Sequence, residues 1–225
     1  MIFETFKKRK YALEYEKDAE IPESLIEELL YKAWEVTPSK NNFMPYSVHV
    51  LNQDCQQLKE QIFNLCKGNE ITTDNIDEIQ ADKRHNIKLP AYANILSCSY
   101  LILFTQRLET DPNPVQKDLI ENKGHVYEAV DPSSLHRIYG LTSFESGLFA
   151  DVFSGLCIEN NLDVSFTGCF PRNLDKWKEI EFVKYTPIML MTVGKAKTYL
   201  QDTKKGFGKL DTRPDYSRIV NFIKN

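Results

Sequence analysis

A polar loop with a proline near each end carries the strongest chemical signal in the chain. Residues 37–46 read Thr-Pro-Ser-Lys-Asn-Asn-Phe-Met-Pro-Tyr. Between Pro38 and Pro45, the stretch from Ser39 to Asn42 offers hydroxyl, ammonium and amide groups at consecutive positions. Such groups, held between two rigid elements, suit a planar polar ligand. A solvated helix-to-strand turn has a similar composition, so this loop alone leaves that alternative open.

Two regular elements are predicted to hold this loop in place. Apolar residues recur at helical spacing before it, which predicts an amphipathic helix over residues 23–36. The residues of that apolar stripe are Leu25, Ile26, Leu29, Leu30, Ala33 and Trp34. Pro38 ends the helix, because proline lacks an N–H donor and disfavours helical geometry in the residue before it. A predicted strand over residues 46–52 follows, so the loop lies at a helix-to-strand junction.

A cationic cluster lies near the start of the chain, in the run Lys7-Lys8-Arg9-Lys10 that ends at Tyr11. Ammonium and guanidinium groups bind phosphate, and arginine suits it best because its planar fork can hold two oxygens at once. A solvated basic terminus and a nucleic-acid-binding patch have the same composition. The run by itself therefore leaves both alternatives open.

The composition is typical of a soluble globular protein, with 225 residues, 42% apolar and 27% charged. That length predicts one domain, residues 1–225, with a substantial core. The formal net charge of −4 gives no overall attraction to nucleic acid. The apolar runs are too short to cross a bilayer and the start does not read as a secretory signal, so no membrane association is expected. Five widely spaced cysteines without a Cys-x-x-Cys pair argue against a zinc site and fit the reducing cytoplasm.

The remaining predicted elements alternate between helices and buried strands. Helices are predicted over residues 53–66, 90–98, 131–160 and 174–180, and strands over residues 100–104, 163–166 and 187–193. Residues 106–131 are predicted to be loop-like, because Pro112 and Pro114 disfavour both helix and central strand. This order predicts an α+β or α/β domain with a central sheet covered by helices. The chain has no Gly-x-Gly-x-x-Gly after a strand and no Walker A loop, which argues against those two nucleotide sites.

The order Pro-Ser-x-x-Asn-x-x-Pro-aromatic, from Pro38 to Tyr46, resembles the signature of the nitroreductase family. Members of that family are FMN-dependent enzymes whose loop at this point contacts the flavin. Met44 and Tyr46 stand where the family often has Gln and Trp. The resemblance continues in order along nearly the whole chain, through the basic start, a long helix, a glycine loop, a last strand and a basic tail. It implies an α+β nitroreductase-like fold, with a central, mainly antiparallel sheet covered by helices, a long central helix and an extended C-terminal tail.

The resemblance implies where the phosphate end of FMN is held. By position, Arg9, Lys10 and Tyr11 match the family residues that bind the phosphate and the ribityl chain. A phosphate dianion usually takes more than one cation, and Arg213 matches a basic residue that precedes a proline near the family's C-terminus. Leu13 stands where another basic residue is common.

The resemblance also implies contacts to the flavin ring. A loop around Thr167 and Gly168 would present backbone groups to the N5 edge, where glycine permits close approach. Asn94 is the candidate contact to the pyrimidine carbonyls, and Lys40 could balance the charge of reduced flavin. The complete set of predicted cofactor-binding residues is Arg9, Lys10, Tyr11, Pro38, Ser39, Lys40, Asn42, Asn94, Thr167, Gly168 and Arg213.

The implied activity is that of an FMN oxidoreductase. NADH or NADPH would deliver hydride to the flavin, and a nitroaromatic, quinone or similar small-molecule electron acceptor would then enter the same cleft, in a ping-pong scheme. No side chain need act as acid or base, so no catalytic residue is predicted. The resemblance further implies a homodimer in which the Pro-Ser loop and the basic start of one site come from different subunits. Gly140, Gly147 and Gly155 of the long helix would then lie near the dimer axis.

Three other functions stay open at this point. Departures from the family pattern at Leu13, Met44, Ala91 and Asp211 allow a flavin-binding storage or sensor protein without efficient turnover. A thiol hydrolase would use Cys169 or Cys98 with one of His49, His85, His125 and His136, but no local nucleophile signature supports it. Nucleic-acid binding through the basic start is opposed by the acidic charge balance.

Overall fold

The computed structural model describes residues 2–67, 93–107, 114–123, 135–168, 170–202 and 216–220. The helices are α1 (Ile2–Lys7), α2 (Glu23–Val36), α3 (Gln56–Lys67), α4 (Ala93–Ser97), α5 (Pro114–Lys123), α6 (Leu135–Glu159) and α7 (Tyr216–Ile219). The strands are β1 (Ala12–Tyr15), β2 (Tyr46–Leu51), β3 (Tyr100–Gln106), β4 (Asp163–Thr167), β5 (Pro187–Gly194) and β6 (Ala196–Tyr199). Short 3-10 turns occur at Lys40–Asn42, Gln53–Cys55, Leu174–Trp177 and Leu200–Asp202.

A four-stranded sheet in the order β2-β3-β5-β4 forms the centre of the described structure. Each neighbouring pair of strands in it is antiparallel. Val48 of β2 pairs with Phe104 of β3, which pairs on its other side with Met189 of β5. Strand β3 is buried along its whole length, which explains why it reads as an uninterrupted apolar run in the sequence.

Helices cover both faces of this sheet, and the described residues form an apolar core on each face. Successive residues of a strand face opposite sides, and accordingly Ile102 and Phe104 belong to one core while Leu101 and Leu103 belong to the other. Helices α2 and α6 complete the first core with Ile26, Leu29, Ala33, Phe149 and Phe153. Helices α3 and α4 and the segment after β4 complete the second with Ile62, Ile95, Trp177 and Ile180.

A separate two-stranded antiparallel sheet, β1-β6, fixes the start of the chain against the central sheet. The hydroxyl of buried Tyr15 hydrogen-bonds to Thr192, 3.0 Å from its carbonyl oxygen and 2.9 Å from Oγ1. The Tyr15 ring lies so close to Gly194 that a Cβ there would come within 2.6 Å of it. A parallel bridge between Tyr11 and Val164 then places the basic start beside β4.

Most predicted elements are confirmed, and two are corrected. Helix α2 has the predicted bounds, and the strands predicted over residues 46–52, 100–104, 163–166 and 187–193 are β2, β3, β4 and β5. The loop predicted over residues 106–131 was wrong for α5, because Pro114 is the first residue of that helix, where a missing N–H costs nothing. The helix predicted over residues 174–180 is only a 3-10 turn. Within the described ranges, no helix is both long enough and apolar enough to cross a bilayer.

Candidate functional site

The Pro-Ser loop leaves helix α2 and makes a tight turn before strand β2. Thr37 closes the helix, because both its backbone N–H and its hydroxyl donate to the carbonyl of Ala33, at 3.0 and 2.7 Å. The 3-10 turn Lys40–Asn42 follows. Asn42 and Met44 have φ angles of 53° and 47°, in the left-handed region. Asparagine tolerates this region, but methionine seldom adopts it, so the surrounding structure must hold Met44 there.

A buried carboxylate on helix α6 holds the first half of this loop. Glu145 is 2% exposed. Its Oε2 accepts a hydrogen bond from the Ser39 hydroxyl at 2.6 Å, and its Oε1 accepts one from the Lys40 backbone N–H at 3.0 Å. The Ser39 oxygen in turn accepts from the Met44 backbone N–H at 2.7 Å. Glu145 therefore determines the position of Ser39, and Ser39 determines where the loop turns.

An arginine holds the second half of the loop. Arg107, just after strand β3, donates from Nε to the Met44 carbonyl at 3.0 Å and from Nη2 to the Phe43 carbonyl. Its guanidinium carbon lies 5.1 Å from the centre of the Phe43 ring. The left-handed backbone at Met44 is thus held from both sides, by Ser39 through its N–H and by Arg107 through its carbonyl.

The loop presents predicted site residues to the surface. Pro38, Lys40 and Asn42 are exposed, whereas Ser39 is half-buried. Tyr46, where β2 begins, is buried, and its hydroxyl has no hydrogen-bond partner among the described residues. Burial, and secondly the nearby Glu145 carboxylate, raise the pKa of Tyr46, so this hydroxyl stays protonated.

An open groove of about 520 Å³ lies beside the loop. It is lined by Leu30, Tyr31, Trp34, Asn42, Phe43, Met44, Tyr46, Val48, Val50, Arg107 and Phe149. Tyr31 and Trp34 of α2 are mostly exposed, and their rings lie 5.5 Å apart. The loop therefore borders an aromatic surface that the described residues of the chain leave uncovered.

The basic start is held against another part of helix α6. Arg9 donates from Nη2 to Asp151 Oδ1 and to Ser154 Oγ, each at 2.7 Å. Its guanidinium carbon lies 4.5 Å from the centre of the Phe6 ring. Phe6 itself packs over Gly155, where a Cβ would lie 3.2 Å from the ring. Gly155 thus makes room for α1 within the subunit, whereas a Cβ at Gly147 would meet nothing within 4 Å.

Lys10 and Tyr11, the other two residues of the basic start predicted to bind the cofactor, lie beside strands β6 and β4. Lys10 Nζ is 3.8 Å from Asp202 Oδ1 and 4.6 Å from the centre of the Tyr199 ring. The Tyr11 hydroxyl donates to the carbonyl of Phe166 at 3.2 Å. Phe166 immediately precedes Thr167, so Tyr11 and the glycine loop are neighbours.

The glycine loop after β4 is braced by Arg172. Its Nη2 donates to the Gly168 carbonyl at 3.4 Å, and its Nη1 donates to the Pro187 carbonyl at 2.9 Å and to the Ile188 carbonyl. The backbone N–H of Phe170 also donates to the Gly168 carbonyl, at 3.1 Å. The carbonyl of Gly168 is therefore turned toward the protein, and its conformation is tied to the start of β5.

Among the described residues, the predicted contact residue Asn94 has a partner in strand β1. Asn94 is buried, and its amide nitrogen donates to the carbonyl of Ala12 at 3.2 Å, so it supports strand β1. Its predicted contact to the flavin stays a prediction. Arg213 and Cys169 lie outside the described residues.

Helix α6 separates the Pro-Ser loop from the basic start. Glu145 and Ser154 are nine positions apart, which places them about 180° apart around the axis and about 13.5 Å apart along it. Ser39 and Arg9, their partners, therefore lie on opposite sides of the helix. Within this chain, a ligand that touched both would have to pass around α6.

The sequence reading missed three residues that organise this site, namely Glu145, Asp151 and Arg107. Each contacts a predicted site residue or loop from a distant part of the chain. The sequence contains one indication of the role of Glu145, which is a carboxylate between the apolar positions Phe144 and Leu148 of a long helix. That spacing alone did not indicate burial.

Comparison with solved structures identifies the fold. A nitroreductase-like protein from Streptococcus mutans has a TM-score of 0.65 at 19% identity, and the match covers 99% of this chain and 97% of that one. A protein from Exiguobacterium sibiricum, proposed to be a nitroreductase and solved in complex with FMN, has a TM-score of 0.62 at 15% identity, covering 99% and 97%. A protein from Staphylococcus epidermidis, proposed to be an NAD(P)H:FMN oxidoreductase, has a TM-score of 0.65 at 15% identity, covering 99% and 96%. The chain has the nitroreductase fold.

The nitroreductase fold confirms the α+β architecture that the sequence resemblance implied, including the central antiparallel sheet and the long helix. No protein-family profile and no curated protein sequence matches the chain. At identities of 15–19% the solved structures support the fold and not the role of any residue. Residue roles in this nitroreductase fold must therefore be argued from its own geometry.

Proposed function

We propose that the protein binds FMN and catalyses electron transfer from NAD(P)H to a small-molecule acceptor. The observation that carries the proposal is the conformation of the Pro-Ser loop. Left-handed Met44 is held by Arg107 and by Ser39, and buried Glu145 in turn holds Ser39 and the Lys40 backbone. These contacts place exposed Lys40 and Asn42 after the end of α2. Backbone strain maintained by buried polar contacts is common at binding sites. A solvated turn would need no buried carboxylate.

The donor groups present fit FMN. Arg9 Nε is buried and has no hydrogen-bond partner among the described residues, so this guanidinium retains a donor for an anion. Lys10 and Tyr11 adjoin it, and Tyr11 also lies next to the glycine loop. Arg9, Lys10 and Tyr11 would hold the phosphate and the ribityl chain, with Arg213 as the proposed second cation. Lys40, Asn42 and the backbone around Thr167 and Gly168 would hold the ring.

Bound FMN would supply the redox chemistry by accepting hydride from NADH or NADPH and passing electrons to a nitroaromatic, quinone or similar acceptor. The protein's own groups would position the flavin and balance its charge. The Lys40 ammonium lies on the exposed side of the loop, where it would stabilise negative charge on the ring. No buried acid–base pair is needed, so we assign no catalytic side chain. Reductant and acceptor would use the same cleft in turn.

A homodimer would reunite the two halves of the site. The Pro-Ser loop and the basic start of one subunit lie on opposite sides of α6, so each needs a complement from elsewhere. Phe144 and the adjoining Gly140 and Gly147 form an exposed stripe on this helix, at positions that share one face. We infer that a second copy covers this stripe and that each cleft draws its ring contacts and its phosphate contacts from different subunits.

Absorbance spectroscopy of the purified full chain tests the proposal. Reconstitution with FMN should give the bands of oxidised flavin in the protein fraction after gel filtration. Anaerobic NADH or NADPH should then bleach those bands within seconds, and a quinone should restore them. Bound flavin that neither nicotinamide bleaches would favour the storage or sensor protein instead. No retained flavin at micromolar protein and FMN would exclude both.

A further inference from the structure

Arg9 already has an anionic partner inside the subunit. Its Nη2 donates both to Asp151 Oδ1 and to Ser154 Oγ, at 2.7 Å each. The Ser154 residue is fully buried, whereas the Asp151 side chain is 56% exposed. The proposed phosphate-binding cation is therefore shared with a carboxylate that lies at the surface.

The geometry of a guanidinium makes this sharing consequential. An oxyanion can take two parallel hydrogen bonds from the pair Nη1 and Nη2, or from the pair Nε and Nη2. Both pairs include Nη2, which has only two N–H groups. Because Asp151 and Ser154 each accept from Nη2, neither pair is complete for a second anion while both contacts last. Arg9 keeps Nε and Nη1, so it can offer a phosphate single hydrogen bonds but not a complete fork.

We propose that Asp151 competes with the phosphate group of FMN for Arg9, and so limits how strongly the site prefers FMN over riboflavin. This inference rests on the proposed function. Asp151 acts in two ways: it occupies one N–H of the only nitrogen common to both forks, and it adds negative charge beside the position that a dianion would take.

The exposure of Asp151 makes it a displaceable competitor. An ion pair with a partner this exposed contributes little to stability, because water solvates the separated carboxylate well. A phosphate dianion can therefore replace it, at the cost of part of its binding free energy. Ser154 is neutral and buried, so it can continue to hold Arg9 in place after Asp151 leaves.

The test is the FMN-to-riboflavin affinity ratio of the full-length chain, measured by quenching of flavin fluorescence on titration of apoprotein. Riboflavin lacks the phosphate but needs the same ring contacts, so the ratio isolates the phosphate site. Asp151→Asn keeps the shape and removes the charge. We expect FMN to bind about three- to fivefold more tightly to this variant and riboflavin to bind within about twofold of wild type.

Glu28→Gln is the matched control. Glu28 is also an exposed carboxylate, at 57%, and it also pairs with a cation, Lys32 on the same helix α2. This variant removes one negative charge without touching Arg9, so its affinity ratio should stay at the wild-type value. An equal increase in both variants would mean that net charge alone is responsible and would overturn the proposal.

The remaining outcomes separate this inference from the proposed function. A wild type that prefers FMN, with an Asp151→Asn variant whose preference is unchanged or weaker, overturns the competition and leaves the FMN site standing. Weaker FMN binding in that variant would show that Asp151 orients Arg9 for the phosphate. A wild type that binds neither flavin overturns both proposals, and this result is visible before any variant is made.

Discussion

At the scale of single residues, Glu145 holds the Pro-Ser loop of the candidate site in place. It is a carboxylate buried beneath the surface loop, and it accepts from both a hydroxyl and a backbone N–H of that loop. Burying a carboxylate is unfavourable unless hydrogen bonds satisfy it. Its position is therefore explained by what it does for Ser39 and Lys40, and its removal would free the loop.

Replacing Glu145 should damage both stability and flavin binding. Glu145→Ala leaves the Lys40 N–H and the Ser39 hydroxyl without an acceptor, which costs about 2–4 kcal/mol of unfolding free energy. We expect FMN to bind to Glu145→Ala more than tenfold more weakly than to wild type. Glu145→Gln keeps one acceptor oxygen, so its stability and its FMN affinity should lie between those of Glu145→Ala and wild type. Urea denaturation and FMN titration measure the two effects. Glu159→Ala is the control, because Glu159 is an exposed carboxylate on the same helix that accepts a hydrogen bond from Thr5. Unchanged FMN affinity in a destabilised Glu145→Ala protein would show that the loop is not the flavin contact.

Cys98 should make the protein less stable at alkaline pH. Burial raises the pKa of this thiol from 9.0 to about 12, although the nearby Lys59 ammonium partly opposes the shift. The folded pKa lies above the unfolded value, so the contribution to stability is complete below about pH 9 and is lost as pH rises toward 12. The loss reaches about 1.4 kcal/mol per pH unit at most. The unfolding free energy, measured by urea denaturation, should fall less between pH 8 and pH 10.5 for Cys98→Ala than for wild type. Equal differences in the two proteins would contradict the assignment.

At the scale of elements, helix α6 shows why apolar spacing alone did not identify the buried face. The apolar positions of this helix predict its presence and length, but Phe144 among them is 64% exposed. The same helix buries Thr142, Glu145, Ser146 and Ser154. It packs against the sheet, α1 and α2. Side chains on several sides of the helix therefore contact other elements and loops. Its buried polar residues reflect those neighbours.

Two glycines should respond differently to alanine because of what surrounds them. At Gly194, which ends β5, a Cβ would lie 2.6 Å from the buried Tyr15 ring, whose hydroxyl is fixed by Thr192. Gly194→Ala should lower the unfolding free energy by about 1–3 kcal/mol. At Gly155 the closest atom is the end of the half-buried Phe6 ring, 3.2 Å away, which can shift. The helix-propensity gain of about 1 kcal/mol should make Gly155→Ala nearly neutral. Equal destabilisation of the two variants in urea would contradict this account.

At the scale of the whole molecule, apolar side chains that the described residues leave exposed lie on both helices that hold the Pro-Ser loop, α2 and α6. Tyr31, Trp34 and Val36 of α2 and Phe144 of α6 are all more than half exposed. The rings of Tyr31 and Trp34 lie 5.5 Å apart, and neighbouring exposed aromatic side chains commonly mark an interaction surface. The position of the Pro-Ser loop and of Arg9 on opposite sides of α6 supports the same proposal from different residues.

Introducing a charge on α6 should therefore separate the proposed dimer. Phe144→Glu places a carboxylate in the proposed interface without filling any space inside the subunit, so circular dichroism should stay unchanged. Sedimentation velocity should show a dimer for wild type and a monomer for the variant, with weaker FMN binding because each cleft loses half its contacts. Leu174→Glu, on the 3-10 turn Leu174–Trp177, is the control and should stay dimeric. A dimeric Phe144→Glu protein with normal FMN affinity would place the interface elsewhere.

The sequence by itself determined the elements whose signals are local. The apolar stripe of α2 and the apolar run of β3 predict a helix and a buried strand, because residues close in the chain set those patterns. The Pro-Ser order correctly pointed to the fold. Four-residue strands such as β1 and β6 carry too little local signal, and they form because they pair with each other across most of the chain.

Only the tertiary structure decided how the candidate site is held together. Ser39 meets Glu145 and Arg9 meets Asp151 across more than a hundred residues each. Nothing in the spacing of these residues indicates a partner, because such contacts depend on how the helices pack on the sheet. The sequence therefore identified the chemical groups of the candidate site. The packing of the helices on the sheet determined their neighbours, their burial and their placement on two sides of α6.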